Sequence, residues 1–414
     1  MKKKISVLAL VSLFAAGSAM ASGWRIPEQS VDSTAKAGAN IASSTRADTA
    51  YYNPANMAWM ADTWHLEADA TWIHLTEIDY ADSRSPIYNG SSEAENFFVP
   101  TGFVVTPSYG GARFGLAITA PAGLSKQWKD PYPRTFAEEF TLEVIEVNPT
   151  VSYSFGDMVS IAAGPRMLYA KATVTSNGMV TLPSPPYPAG TRAPLGRDMD
   201  GDTTEWGWNV ALAVKPVEKL NISATYRSKV DLDFEDEATL IQPGRATGTF
   251  PAEVSVPVPA VFALSVAYDV LPKLNVELTW DRTFWSTYDK LDFNFTPPAV
   301  AAFEDPIPKD WDDSNAFRIG LTYTLTDYLT LMGGFAYDQT PVPTENIGFE
   351  LPDSNAWIYS LGAQYAVTDK MDIGIAALYD YKESRTAKSA DGKIDGEFTD
   401  AAAFLITVGL NYRF

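Results

Sequence analysis

From residue 64 to the C-terminus the chain repeats with a period of two. In the last stretch Phe404, Ile406, Val408, Leu410, Tyr412 and Phe414 share one face, and Leu405, Thr407, Gly409, Asn411 and Arg413 the other. Successive side chains of a β-strand point to opposite faces, so this is a strand with one apolar and one mostly polar side. Leu220/Ile222/Ala224/Tyr226 alternate in the same way with Asn221/Ser223/Thr225/Arg227, and Leu274/Val276/Leu278/Trp280 with Asn275/Glu277/Thr279/Asp281. Phe317/Ile319/Leu321/Tyr323 alternate with Arg318/Gly320/Thr322/Thr324. Tyr and Trp recur near strand ends, as in the interfacial girdles of a membrane barrel, so the apolar face is expected to meet lipid and the polar face to line a lumen.

Short turns alternate with long connections. Phe155-Gly156-Asp157, Leu271-Pro272-Lys273 and Val367-Thr368-Asp369 are short; residues 177–202, 236–253, 297–312, 339–355 and 382–400 are long and rich in Pro, Gly and Asp. Short periplasmic turns facing long external loops are the outer-membrane pattern, and the count is about fourteen strands. The fold class is therefore all-β: a transmembrane antiparallel β-barrel of about 14 strands with an N-terminal plug inside the lumen.

The rest of the chain is divided accordingly. Residues 1–21 read as a signal peptide, with Lys2, Lys3 and Lys4, an apolar run and Ala19-Met20-Ala21. Residues 22–60 are the expected plug, and 61–414 the barrel. The plug segment shows no clear period and is rich in Ala, Ser, Thr and Gly, so it has no apolar face for a core of its own. It ends in a turn-forming corner at Asn53, Pro54 and Ala55, among aromatic residues too apolar for a tail.

Composition narrows the function. The formal charge is −20, and loss of three leader lysines takes it to −23, which argues against nucleic acid as a partner. There is no cysteine, hence no disulfide or thiol chemistry. His65 and His74 are the only histidines, and no catalytic or metal-binding motif surrounds them. No enzyme, metal or cofactor is expected. By parity Arg166, Arg227, Lys229, Lys290 and Arg318 fall on polar faces. Arg166, Arg227, Lys290 and Arg318 are the candidates to hold a substrate carboxylate, the alternative being pairing with lumen acids such as Asp231, Asp281 and Asp292. In the third strand Ala120, Pro121, Ala122 and Gly123 interrupt a regular alternation, which marks either a bulge or kink, with a local gap in the wall's hydrogen bonding as the candidate lateral opening, or the end of the strand and the start of an external loop. Backbone groups at such a gap need partners, and the amide of Asn53 is the expected one.

The chain resembles the FadL/TodX family of outer-membrane transporters for long-chain fatty acids and other hydrophobic compounds. The resemblance rests on the segment ending in Asn53-Pro54-Ala55, on Trp206-Gly207-Trp208-Asn209, on Tyr226-Arg227-Ser228-Lys229-Val230, on Ala316-Phe317-Arg318-Ile319-Gly320 and on Gly334-Phe335-Ala336-Tyr337-Asp338. It implies a 14-stranded barrel closed by a hatch at Asn53, Pro54 and Ala55. Capture would occur in an external apolar groove, and exit sideways at Ala120–Gly123. The family's helical capture loop has no counterpart here, because residues 177–202 carry Pro183, Pro185, Pro186, Pro188 and Pro194. Met179, Leu182, Tyr187 and Leu195 are the external capture candidates instead. The function expected is passive uptake of hydrophobic molecules, long-chain fatty acids foremost, across a Gram-negative outer membrane. Aromatic or alkane hydrocarbons are the alternative cargo, and a general porin for polar solutes the alternative class. The expected partners are the hydrophobic ligand, outer-membrane lipid and lipopolysaccharide, and the barrel-assembly machinery; the barrel is expected to be a monomer.

Overall fold

The computed structural model describes residues 23–414 apart from 183, 185 and 300; the expected signal peptide lies outside the described residues. Fourteen strands close into one antiparallel ring: β1 His65–Leu75, β2 Glu95–Val105, β3 Ala112–Gln127, β4 Glu139–Phe155, β5 Val159–Thr181, β6 Arg192–Val217, β7 Leu220–Arg227, β8 Val261–Leu271, β9 Leu274–Thr283, β10 Ser314–Thr324, β11 Leu329–Asp338, β12 Ala356–Thr368, β13 Met371–Lys382 and β14 Ala402–Arg413. The seam is β1 on β14, in register from His65↔Arg413 to Leu75↔Ala403. Pairing of the first strand with the last closes the ring, as a barrel in lipid requires.

The alternation sorts as expected. On β14 Phe404, Ile406, Val408, Leu410 and Tyr412 are 39–49% exposed, whereas Leu405, Thr407 and Asn411 are at most 5% exposed. The outward band is apolar and the inward side largely polar, the reverse of a soluble barrel. Trp64 and Phe414 stack at the lower rim with ring planes 8° apart.

The external connections are more structured than their proline content suggests. Residues 177–202 are not an open loop: β5 and β6 stay paired out to Thr181↔Arg192, with Met179↔Pro194 inside the hairpin. Proline is tolerated there because a strand position can leave its nitrogen outside the ladder. Two further strands, Val230–Ile241 and Gly248–Val258, form a hairpin that pairs with the outer part of β6 and with Phe293–Phe295. A separate small sheet of Asp79–Asp82, Gly90–Ser91, Arg385–Lys388 and Asp395–Thr399 stands over the seam. Together these elements bury one large aromatic and aliphatic cluster on the external side.

The N-terminal segment, with helices α1 Val31–Ala35 and α2 Thr49–Tyr52 and a 3₁₀ turn Pro54–Trp59, is almost wholly buried. It bonds to strands all around the ring. Thr34 meets Thr407 of β14 at 2.8 Å, Gln364 of β12 donates to Asp32 at 2.8 Å, and Asn53 reaches Ser223 of β7 at 2.9 Å. The segment therefore crosses the lumen. Glycine makes room for it: a Cβ on Gly334 would lie 2.2 Å from the Lys36 carbonyl carbon, and one on Gly362 2.6 Å from Ala35 Cβ.

Candidate functional site

Strand pairing in the wall is shortest between β2 and β3. These strands pair only at Gly102–Val105 against Gly115–Ile118. On the other side of β3 the register with β4 shifts between Thr119 and Ala122, so the Pro121 region carries one extra residue. Proline removes a donor and the bulge bends the strand away from β2.

The backbone groups freed at this kink are satisfied from inside. The Ile26 amide donates to the Pro121 carbonyl at 2.9 Å, and the Gly123 amide to the Trp24 carbonyl at 2.9 Å. The Gln29 side chain donates to the Ala120 carbonyl at 2.9 Å and accepts from the Ala120 amide at 2.8 Å. The Gln29 carbonyl accepts the Thr101 hydroxyl of β2 at 2.7 Å, so Gln29 spans both edges of the gap. The expected partner, Asn53, is elsewhere. Its amide donates to the Ile41 carbonyl at 3.1 Å and to Ser223, and its oxygen caps the Ala55 amide at 3.2 Å. The kink does need an amide that both donates and accepts, but the residue is Gln29. Chain path decides this, because the segment passes the kink on entry and reaches Asn53 only after crossing to β7.

The second anchor is Glu277 on β9. Its carboxylate accepts from three successive amides, Ile41 at 2.7 Å, Ala42 at 2.8 Å and Ser43 at 3.0 Å, and from the hydroxyls of Ser43 and of Ser265, the latter at 2.7 Å. Consecutive N–H groups turned to one side form an anion-binding concavity, here filled by the wall.

Charges inside the segment are partly frustrated. Burial, with Asp32 adding to it, pushes the Asp48 carboxyl up to about 6, although Ser30 and Asn40 donate to it. Burial pushes Glu28 up to about 7, against the pull of Arg318. Burial also opposes ionisation of Asp32, but Arg46, at 2.8 Å, and Lys36 outweigh it and hold Asp32 below the usual carboxylate range.

The cations chosen from the sequence are engaged by acids of this chain. Arg166 bonds Glu146 at 2.8 Å, and Arg227 shares the same carboxylate while lying over the Tyr51 ring. Arg318 joins Asp281 at 2.9 Å and Asp338 at 3.1 Å, and donates to the Ala37 carbonyl. Lys290 is not in the lumen: it is exposed on the external side and paired with Asp292 at 2.7 Å. Lys229 pairs with Asp231 at 2.9 Å. Of the capture candidates, Met179 and Tyr187 are exposed near the hairpin tip, Leu182 is half-buried, and Leu195 packs on the external cluster.

An apolar cavity of about 40 Å³ lies between the N-terminal segment and the external cap. Trp24, Leu124, Phe140, Phe234, Tyr288, Phe293 and Trp311 line it, with the Lys309–Glu350 ion pair at its edge. The Arg197 guanidinium lies 4.0 Å over the Phe293 ring. From Trp24 the buried apolar surface continues to Ala122 and Leu124 on the kinked strand. Beyond them a second apolar cluster includes Ala120 and Val99, with Phe97 against it, on the two sides of the gap. The sequence reading missed Trp24, Gln29, Arg197, Lys309 and Trp311. Tryptophan in Pro- and Asp-rich connections was a usable signal for Trp285 and Trp311; nothing local marked the others.

Comparison with known proteins agrees with this architecture. Residues 12–414 match the model of the family "Outer membrane protein transport protein (OMPP1/FadL/TodX)". Outer membrane protein P1 of Haemophilus influenzae is 26% identical, with 99% of each chain covered. The long-chain fatty acid transport protein of Escherichia coli (strain K12) is 24% identical over 87% of each. Among solved structures, a Pseudomonas aeruginosa FadL homologue superposes with a TM-score of 0.83 at 19% identity, covering 95% of this chain and all of the other. The Ralstonia pickettii toluene transporter TbuX gives 0.72 at 18% identity, covering 93% and 98%. Closed barrel, apolar outer band and family match together make this chain a member of the OMPP1/FadL/TodX family, a transport protein of the Gram-negative outer membrane and not an enzyme.

Proposed function

We propose that the protein takes up long-chain fatty acids passively and releases them sideways, into the outer leaflet, through the gap beside the kink of β3. The observation that carries this reading is the double position of Trp24. Its side chain lines the apolar cavity, and its backbone carbonyl holds the Gly123 amide at the kink. A cavity of about 40 Å³ has room for little more than a water molecule, so an acyl chain must displace Trp24 to enter. Displacing Trp24 releases one of the bonds that hold the kink. Binding and opening are thereby one movement.

Residues 23–60 act as the hatch, with Asn53, Pro54 and Ala55 shaping the corner against β7. Met179, Leu182, Tyr187 and Leu195 form the first apolar contact on the external hairpin. A buried methylene is worth about 0.8 kcal/mol, so a long acyl chain gains on the order of 10 kcal/mol by staying out of water. The apolar clusters running from Trp24 to Phe97 keep it dry; a watery pore would not. Lys309 at the edge of the cavity, which pairs with Glu350, would turn to a ligand carboxylate and offers little to a hydrocarbon, which favours fatty acids over toluene-like cargo.

The test is uptake of labelled palmitate by cells lacking their own fatty-acid transporter. The wild-type protein should restore uptake, and Gly123→Arg should reduce it at least about tenfold while keeping heat-modifiable migration on a gel, the sign of a folded barrel. Normal uptake by a folded Gly123→Arg variant would rule out exit through the wall. Toluene entering as readily as palmitate would shift the reading to hydrocarbons.

A further inference from the structure

The aromatic wall of the cavity contains a chemical imbalance. Trp24 packs against Trp285, Trp311 and Tyr288 with ring centroids 4.6, 4.9 and 5.1 Å away, and Trp285 and Trp311 are 5.0 Å apart. The indole N–H groups of Trp24, Trp285 and Trp311 are all buried, and none has an acceptor among the described residues. Other indoles of the chain do find acceptors. Trp128 donates to the Phe349 carbonyl at 2.8 Å, Trp357 to Glu383 at 2.9 Å and Trp280 to Asn315 at 3.2 Å. Elsewhere Trp59 alone among the buried indoles lacks a partner, and it lies at the other end of the lumen beneath Lys215. The Nε of Arg197, whose guanidinium lies over Phe293 of the cavity wall, is likewise buried without an acceptor among the described residues. The one carboxylate at the cavity, Glu350, is already engaged by Lys309.

Buried donors left without acceptors are costly and call for an explanation. Here Trp24 and Trp311 line one apolar space with Trp285 packed against both, and all of these groups are donors. Resting on the uptake reading above, we propose that Trp24 and Trp311, backed by Trp285, form a neutral donor set that recognises the acceptor oxygens of the ligand's head group. The ligand class is then a long apolar chain ending in a group that accepts and does not donate, a carboxylate above all. A hydrocarbon leaves the indoles of Trp24 and Trp311 unanswered, and an alcohol or amine brings a further donor to a place short of acceptors. Because Trp24 also carries one of the groups that hold the kink, the head group grips the element that must move.

Two measurements on the purified full-length protein in detergent test this. The first is equilibrium binding of palmitate and hexadecane to the wild type and to a Trp24→Phe/Trp311→Phe variant. Phenylalanine keeps an aromatic ring and removes the N–H. Palmitate affinity should fall about tenfold or more, and hexadecane affinity should change less than about threefold. Equal losses would reduce the indoles to ring packing, and no loss would remove them from recognition; either result overturns the proposal. The second needs only the wild type, in case the variant does not fold. Methyl palmitate, uncharged but bearing acceptors, should bind at least about fivefold more tightly than hexadecane, and hexadecanol more weakly than methyl palmitate. Methyl palmitate binding no better than hexadecane overturns the donor set while leaving uptake intact. Failure of the wild type to bind either palmitate or hexadecane would overturn the uptake reading itself.

Discussion

Replacing Glu277 by glutamine is the sharpest test of how the N-terminal segment is held. One carboxylate oxygen accepts from the Ile41 and Ala42 amides and from Ser265, and the other from the Ser43 amide and hydroxyl. Glutamine is nearly isosteric but keeps only one acceptor oxygen; its NH₂ would face donors at the other position. The charge is lost from every bond, and the Ser43 amide faces a donor at a partly buried site. Hydrogen bonds to charged groups contribute about 1.5–3 kcal/mol each, and such losses are not additive. A net cost of about 2–4 kcal/mol to docking of the segment follows, roughly a 30- to 1,000-fold rise in the undocked fraction. Hydrogen exchange at the Ile41, Ala42 and Ser43 amides reads this directly, and planar-bilayer conductance reads the resulting leak of small ions. Ser265→Ala is the control: it removes one donor from the carboxylate and none from the segment, so docking should change little. Unchanged protection at residues 41–43 in a folded Glu277→Gln barrel would refute the view that this carboxylate anchors the segment.

Gly334→Val should displace α1, because its Cβ would meet the Lys36–Ala37 backbone at 2.2–2.5 Å; Gly333→Val, whose Cβ has only the Ser360 carbonyl at 3.8 Å, should be silent in proteolysis of the segment. Gln29→Ala should strip the Ala120 amide and carbonyl of their partners and speed proteolysis near residues 24–26, whereas Asn53→Ala should leave that region protected and loosen the corner at β7. Raised carboxyl values make docking sensitive to pH. With Asp48 near 6 and Glu28 near 7 in the folded protein, and ordinary values near 4 when released, the folded state holds protons that the released segment gives up. These two groups therefore favour docking most in acid, and their share falls as pH rises from about 4 through 7, by up to about 3 kcal/mol for each, whereas Asp32, held below the usual range, favours docking above about pH 4 and loses that share in stronger acid. Equal amide protection of residues 28–48 at pH 5 and pH 8 would contradict this.

The architecture was legible because it rests on local, repeated signals. A period of two, an apolar face such as Phe404 to Tyr412, and short turns at alternate ends specify strand number, facing and closure without knowledge of any distant contact. Pro121 and Gly123 likewise announce a kink from their own backbone chemistry. What sequence alone does not determine is which residues meet across the lumen. That Gln29, and not Asn53, satisfies Ala120 depends on where the segment enters the ring. That Glu277 is an anchor and Arg318 an engaged cation depends on residues some 240 to 280 positions away coming within hydrogen-bond range. The proline-rich residues 177–202 misled for a related reason: proline forbids a helix but not an outer hairpin, and only pairing with a neighbouring strand decides between hairpin and loop. The aromatic cluster at the cavity is the extreme case, since Trp24, Trp285 and Trp311 come from the segment and from both ends of one external connection. Alternation along a strand is imposed by the chain's own geometry; the partners of an inward side chain are set by closure of the whole ring and by the path of what fills it.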